Sequence, residues 1–157
     1  MSIKIFIDTE FTDFIEPQLI SVGLVSEAGD EFYAEVPFDR KACSDFVLQT
    51  VVPMLGYVSD AYSEKSFLSE KLIGWLLEVR HSVDSVVICC DSQIDWDLFL
   101  ELLRGEIPPW CQKRLIADCL DENLRLSYYE ESRRPEHHAL NDAHANRRAF
   151  REQDVAN

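Results

Sequence analysis

The sequence predicts an α/β fold, a mixed sheet that begins with three antiparallel strands, continues with parallel strands and is flanked by helices. Two observations predict it. Three β-rich segments follow one another at the start, and from about residue 63 onward helical and strand patterns alternate. Because no repeat, linker or low-complexity stretch interrupts the 157 residues, we expect one domain spanning residues 1–157.

The first three strands are predicted over residues 3–8 (IKIFID), 19–26 (LISVGLVS) and 31–36 (EFYAEV). These segments are rich in β-branched and aromatic residues, which favour strands, and the third alternates between polar and apolar side chains. Residues 27–30 between the second and third segments supply a turn in which Gly29 can adopt a positive φ. The second and third strands are therefore predicted to form a hairpin.

Two helices are predicted in the middle of the chain. A short helix over residues 44–51 is bracketed by prolines and has apolar side chains spaced for one face. A longer helix over residues 63–80 begins with Ser63 as a candidate N-cap and ends with Arg80, whose charge is favourable at a helix C-terminus. Its apolar positions recur about every 3.6 residues. They are Leu68, Leu72, Trp75, Leu76 and Val79.

The second half alternates strand and helix. Residues 85–90 (SVVICC) form a continuous apolar run, which is typical of a central strand buried on both faces, and residues 95–103 resume helical spacing. A pair of prolines, Pro108 and Pro109, ends that helix. The remaining predicted elements are a fifth strand over residues 114–117, a helix over residues 123–130 and a final helix over residues 141–152.

Composition narrows the class of protein. The formal net charge of -14 argues against tight, non-specific binding of long duplexes, which normally uses clustered Lys and Arg. It does not exclude a short nucleic-acid end, because bound divalent cations neutralise phosphates locally.

The five cysteines form no CxxC pair, so neither a disulfide framework nor a thiolate zinc site is predicted. Residues 1–8 are too short and too charged for a signal peptide or membrane span, and we expect a cytoplasmic protein.

A first pair of carboxylates lies at the end of the first predicted strand. Asp8 and Glu10 project from the same face because side chains alternate along a strand. Holding two like charges so close is unfavourable unless a cation lies between them, and carboxylate oxygens suit Mg²⁺ or Mn²⁺. The alternative is an exposed strand end with two solvated acids, and a single DxE motif does not decide between them.

A second acid, Asp95, follows the buried strand at the start of the predicted helix. Sites collect beyond the strand ends of an open sheet, so Asp95 is a candidate ligand. Alternatively it is an N-cap acid that only satisfies backbone N-H groups. Two neighbouring acids, Asp91 and Asp97, are rival ligands.

A third cluster combines His137 with Asp142 near the start of the last helix. An imidazole can accept a proton near neutral pH while an aspartate ligates a metal. The alternatives are a surface turn carrying several histidines, or a zinc site built from His137, His138 and His144. Because the sequence offers neither cysteine partners nor an HExxH spacing, zinc is the weaker hypothesis.

In this order, the three clusters resemble the motifs of the DEDDh 3'-5' exonucleases, a family with the ribonuclease H-like fold. The stretches FIDTEF (residues 6–11), DSQID (91–95) and HHALNDA (137–143) are similar to the first, second and third motifs. The segments 8–11 and 19–25 further resemble small bacterial exoribonucleases related to ribonuclease T and oligoribonuclease. On this resemblance, the family's four acids and its histidine fall on Asp8, Glu10, Asp95, Asp142 and His137.

The second motif departs from the family pattern at two positions. The family usually has Asn where this chain has Asp91, and an aromatic residue where it has Ile94. The assignment of Asp95, and the way in which this segment contacts substrate, depend on these two departures.

The resemblance implies an activity with a defined chemistry. Two divalent ions, Mg²⁺ or Mn²⁺, would be held by Asp8, Glu10, Asp95 and Asp142, with Asp8 bridging both, and His137 would act as the general base. The product would be a nucleoside 5'-monophosphate released from single-stranded RNA or a 3' overhang. Homodimerisation is also implied. Candidate substrate-binding residues are Thr9, Phe11, Arg133 and Arg134, of which Phe11 is a candidate to stack on the terminal base.

Two other functions are compatible with the sequence. One is a 3'-5' deoxyribonuclease of the same family, because no residue identifies the sugar. The other, from a different class, is a non-catalytic nucleic-acid-binding or scaffold protein with the same fold. A complete set of four acids and a histidine argues against the scaffold, which has no need to keep so many like charges together.

Overall fold

The computed structural model of the protein describes residues 1–153 and contains a five-stranded sheet in the order β3-β2-β1-β4-β5. β1 pairs antiparallel with β2, and β2 with β3, whereas β1 and β4, and β4 and β5, run parallel. The predicted mixed sheet is therefore confirmed. The strands are β1 (Ser2–Phe11), β2 (Leu19–Ser26), β3 (Glu31–Glu35), β4 (Ser85–Cys90) and β5 (Cys111–Leu115).

Four α-helices cover the two faces of this sheet. Ile5 and Ile7 of β1 point toward one face and pack in a core with side chains of α1 and α2. Phe6, between them, points to the opposite face and packs with Ala143 of α4. This alternation is the period of two expected for a strand that is buried on both faces. The helices are α1 (Lys65–Arg80), α2 (Gln93–Leu102), α3 (Glu122–Ser132) and α4 (Ala139–Ala149).

The segment predicted as a short helix over residues 44–51 is helical but irregular. A π-helical turn covers Val47–Val51, and a 3₁₀ turn follows over Val52–Met54. Pro53 lies in the 3₁₀ turn, and since proline has no N-H to donate, a regular α-helix cannot continue through it. Phe46 and Val47 were predicted to share one face of this helix, but Phe46 is 54% exposed whereas Val47 is buried.

The prediction that Ser63 caps the long helix is wrong. Helix α1 begins at Lys65 after Glu64, whereas Ser63 is buried and its backbone N-H donates to the carbonyl of Glu35 at the end of β3. Ser63 thus extends the pairing of the sheet edge. The body of the helix agrees with its predicted period, since Leu68, Leu72 and Leu76 are fully buried.

The boundaries of the later elements also differ from those predicted. Helix α2 begins at Gln93, and β5 begins at Cys111 rather than at residue 114. Helix α4 begins at Ala139 and ends at Ala149, three residues before the predicted end at residue 152. The chain leaves the helix at Phe150, whose ring packs edge-on against Phe6 with centroids 5.4 Å apart. No helix in the described range is long and apolar enough to cross a membrane.

Helix α4 approaches the sheet closely because Gly23 of β2 has no side chain. A Cβ at this position would lie 2.5 Å from the carbonyl carbon of Ala139, which is closer than non-bonded atoms can approach. Gly23 is also the ladder partner of Asp8. The first turn of α4 is therefore seated directly over the acidic end of β1.

Candidate metal centre

A cavity of about 370 Å³ lies at the carboxyl ends of β1 and β4. We call it the acidic cleft, because six carboxylates line it together with three phenylalanines, one arginine and one histidine. These residues are Asp8, Glu10, Asp13, Asp91, Asp95, Asp142, Phe11, Phe14, Phe46, Arg125 and His137. All five residues predicted to carry the chemistry lie in this cleft.

The parallel pairing of β1 with β4 brings the first two motifs together. The last pair of this ladder is Ile7 with Cys90, so the next residues along the two strands, Asp8 and Asp91, emerge side by side. Helix α2 then supplies Asp95, and helix α4, seated over β2, supplies Asp142. Acids that are far apart in sequence thus converge at one edge of the sheet.

Two groups of carboxylates lie close enough to hold a cation, and Asp8 belongs to both. In the first group the ligand atoms of Asp8, Glu10 and Asp142 lie within 4.8 Å of one another, and in the second those of Asp8, Asp91 and Asp95 do. The Oδ2 atom of Asp8 is buried and has no hydrogen-bond partner within the described residues. Buried, closely spaced carboxylate oxygens of this kind fit Mg²⁺ or Mn²⁺.

The rival ligands of the second motif are separated by the structure. Asp91 belongs to the second group, alongside Asp95 rather than in its place. Asp97 is exposed and accepts a hydrogen bond from Gln93 at 2.7 Å, and it does not line the cleft.

Asp95 is held by three hydrogen bonds to its carboxylate. The backbone N-H and the hydroxyl of Thr9 donate to Oδ1 at 3.1 and 2.5 Å, and the hydroxyl of Ser92 donates to Oδ2 at 2.9 Å. Ser92 is the N-cap of α2 and accepts from the backbone N-H of Asp95. The alternative that Asp95 is an N-cap acid is therefore wrong, and Thr9 orients this carboxylate.

Asp142 is positioned by two donors. The hydroxyl of Tyr129 in α3 donates to its Oδ1 at 2.6 Å, and the backbone N-H of His137 donates to its Oδ2 at 3.1 Å. Tyr129 was missed as a site residue by the sequence analysis. The sequence shows a tyrosine on the predicted helix just before the third motif. It does not show which face of that helix is directed toward the site.

The three histidines of the third cluster lie in different surroundings. His137 lines the acidic cleft, with its ring edge-on to Phe46 at 5.0 Å between centroids. His138 stacks on Tyr33 at 4.6 Å, and His144 lies 2.5 Å from the carboxylate of Glu31. Among residues 1–153, the groups spaced for a cation contain no histidine, so the zinc alternative finds no support.

Burial and mutual repulsion raise the pKa values of the acids in the cleft. Burial, then the charges of Asp95 and Asp142, raise the pKa of Asp8 well above its usual range. Burial and Asp142 raise the pKa of Glu10 to about 9, and burial and Asp91 raise that of Asp95 to about 7. Burial also raises the pKa of Asp142, although Tyr129, His137 and Arg125 oppose this rise. The cleft is therefore short of positive charge.

We expect the metal-free protein to lose stability as the pH rises from about 6 to about 9. The folded-state pKa values of Asp95 (about 7) and Glu10 (about 9) exceed their ordinary values, so folding favours the protonated forms. That contribution is present below the ordinary values and is lost as the pH rises through the raised ones. Mg²⁺ should therefore raise the melting temperature more at about pH 9 than at about pH 6, by roughly 5 °C or more.

Thermal melts with Mg²⁺ and with a chelator, at both pH values, measure this difference. Equal shifts at the two pH values would contradict the assignment of the acids as cation ligands.

The mouth of the cleft carries aromatic side chains that the sequence analysis did not assign to the site. Phe14 and Phe46 are 80% and 54% exposed, and both line the same cavity. Phe11 is partly buried against the main core, and its ring meets that of Phe14 edge-on at 5.2 Å. Arg133 and Arg134 are exposed and do not line the cleft, so their role in substrate binding stays a prediction.

Comparison with solved structures identifies the fold. The nuclease domain of 3'hExo, a DEDDh family member bound to rAMP, has a TM-score of 0.56 and 18% identity, over 93% of this chain and 88% of that one. A 3'-exonuclease that recognises the 3' end of the histone mRNA stem-loop has a TM-score of 0.55 and 16% identity, over 93% of this chain and 61% of that one. A full-length 3'-exonuclease has a TM-score of 0.51 and 18% identity, over 93% and 78%.

These comparisons confirm the resemblance at the level of structure. No protein-family model matches the chain, and no curated protein is similar to it in sequence. The particular likeness to ribonuclease T and oligoribonuclease stays a prediction. The chain has the ribonuclease H-like fold of the DEDDh 3'-exonuclease domains.

Proposed function

We propose that this protein is a metal-dependent 3'-5' exonuclease that removes nucleotides from the 3' end of single-stranded RNA and releases nucleoside 5'-monophosphates. One observation carries the proposal. Asp8 belongs to two groups of carboxylates, each with ligand atoms within 4.8 Å, so two cations can share one ligand. The two groups would hold two divalent ions, which would neutralise a phosphodiester, lower the pKa of water and stabilise the leaving oxygen.

The chain's own residues complete the site. His137 lines the cleft and is the candidate general base that takes a proton from the attacking water. Thr9 and Ser92 fix Asp95, and Tyr129 fixes Asp142, so the two carboxylates are oriented before any ligand arrives. Without cations, the acids repel a phosphate, which makes turnover strictly dependent on metal.

Three features support an unpaired end as the substrate. The cavity of about 370 Å³ suits a small ligand or the end of a strand. Exposed rings of Phe14 and Phe46 offer faces for unstacked bases, each stacking contact contributing about 1 to 3 kcal/mol. The net charge of -14 provides no general attraction for a long backbone. RNA is favoured over DNA because structurally similar domains are bound to rAMP or recognise a histone mRNA stem-loop.

The test uses matched RNA and DNA single strands of one sequence, labelled at the 5' end and incubated with Mg²⁺ or Mn²⁺. We expect a ladder that shortens one nucleotide at a time, faster on RNA. Faster shortening of DNA would favour the deoxyribonuclease. Metal binding without shortening of either strand would favour the scaffold, and internal cleavage would contradict an exonuclease of any kind.

Loss of the His137 ring should lower the rate about 100-fold or more, in the range for removing a general base. His137 adopts a φ of 64°, so glycine is the cleanest replacement because it takes this conformation without strain. In His137→Gly, the backbone N-H that donates to Asp142 is also retained. The measurement is the single-turnover rate with Mg²⁺.

The matched control is His138→Ala, since His138 stacks on Tyr33 and does not line the cleft. Its rate should stay within a few-fold of wild type when corrected for the folded fraction. Equal losses in the two variants would leave His137 without the role of base.

Three further parts of the proposal rest on the resemblance, for the homodimer, and on the length and the charged start of the sequence, for the other two. They are homodimerisation, a cytoplasmic location and the organisation of the whole chain as one domain. Sedimentation of the purified protein tests the first, and a monomer with full activity would contradict it.

A further inference from the structure

Arg125 of α3 is the one lysine or arginine that lines the acidic cleft, judged over residues 1–153. Its guanidinium lies 3.8 Å from Asp91 and 3.7 Å from Glu122, and its side chain is 26% exposed. The other ionisable residues that line the cleft are six acids and His137. Arg125 is therefore the natural place to look for a contact with an anionic substrate.

Neither ion pair is short enough to be a hydrogen bond, and the guanidinium also lies beside the hydroxyl of Tyr129. Charge-assisted hydrogen bonds between arginine and carboxylate are about 2.7 to 2.9 Å long, well below the 3.7 and 3.8 Å measured for Arg125. The planar fork of five N-H groups matches the oxygens of a phosphate, which it can bind bidentately. Asp91 and Glu122 thus attract the side chain without occupying its donors in short hydrogen bonds.

The position of Arg125 on α3 relates it to both groups of carboxylates. Arg125 forms an ion pair with Asp91, a member of the second group. Tyr129 lies four residues further along the same helix, and its hydroxyl donates to Asp142 of the first group. Residues four apart are neighbours on one face of a helix. Arg125 therefore lies beside both groups, next to the place where a phosphate held between two cations would be bound.

We propose that Arg125 binds the phosphate of the substrate, and that Asp91 keeps its guanidinium turned into the cleft. This inference rests on the proposed function and adds a residue to it. Asp91 stands where the resembling family usually has Asn, and an amide could not hold Arg125 by charge. Asp91 then has two roles, because it completes the second group and it orients the side chain of Arg125.

The experiment measures binding of a nucleoside 5'-monophosphate and of the matching nucleoside by calorimetry, both with Mg²⁺. In Arg125→Ala we expect the monophosphate to bind about tenfold or more weakly, as for a lost hydrogen bond to a charged group, with nucleoside binding unchanged. Arg125→Lys keeps the positive charge but not the planar guanidinium, and its affinity for the monophosphate should fall less than that of Arg125→Ala. The matched control, Arg148→Ala, removes an arginine that pairs with Glu131 outside the cleft and should bind both ligands as wild type does.

Three outcomes would overturn the proposal. They are unchanged monophosphate binding in Arg125→Ala, an equal loss for monophosphate and nucleoside, or a wild-type protein that does not distinguish the two ligands. Hydrolysis is assayed separately on a labelled strand. A protein that discriminates the phosphate through Arg125 but shortens no strand would contradict the proposed function and leave this inference standing.

Discussion

Replacing Asp8 with asparagine should lower metal-dependent hydrolysis at least about 1000-fold while raising the stability of the metal-free protein. The activity should fall because Asp8 belongs to both carboxylate groups, so its loss would weaken both proposed cation sites at once. The metal-free fold should become more stable because Asn keeps the shape of the side chain and removes a carboxyl group whose ionisation is opposed by burial and by Asp95, Asp142 and Glu10. A substitution that merely damages the fold cannot produce this pair of effects.

Single-turnover rates with Mg²⁺ and thermal melts with a chelator measure the two quantities. The matched control is Asp97→Asn, which removes the same charge from an exposed position outside the cleft. It should leave the rate within a few-fold of wild type. Retained hydrolysis in Asp8→Asn, or a fall in metal-free stability, would refute the shared-ligand role.

The residues that local patterns could identify are those carried on strands and helix starts. Alternation along β1 places Asp8 and Glu10 on one face, and both lie in the cleft as predicted. The continuous apolar run of β4 predicts a strand covered on both faces, and β4 lies inside the sheet between β1 and β5, although the strand order itself was not predicted. The mixed sheet and the first motif could thus be predicted from the alternation of side chains along the strands and from the length of the apolar runs.

The parts of the site that could not be predicted depend on how separate elements pack. The sequence left Asp91, Asp95 and Asp97 as rivals, whereas the parallel pairing of Ile7 with Cys90 brings Asp91 beside Asp8. Arg125 and Tyr129 reach the cleft from α3, and helical spacing alone does not tell which face of that helix meets the sheet. Ser63 shows the same limit, because a favourable N-cap residue was drawn into strand pairing instead.

Replacing Gly23 with alanine should destabilise the protein by about 3 kcal/mol, at the upper end for overpacking a core. The added methyl would meet the backbone of Ala139 at 2.5 Å, and a helix backbone cannot move aside as a flexible side chain can. Helix α4 must therefore shift outward, carrying Asp142 away from Asp8. Because catalytic geometry is sensitive to displacements of about 1 Å, hydrolysis by the folded fraction should fall about 100-fold.

Gly74→Ala supplies the matched control, since Gly74 lies inside α1 with no atom within 4 Å of an added Cβ. Alanine there should stabilise the helix by about 0.5 to 1 kcal/mol and leave the rate unchanged. Denaturant unfolding and Mg²⁺-dependent hydrolysis distinguish the two variants. If Gly23→Ala behaved like Gly74→Ala, helix α4 would not be seated on β2 as described, and the first carboxylate group would lose its structural basis. Gly23 therefore links the packing of the fold to the geometry of the candidate metal centre.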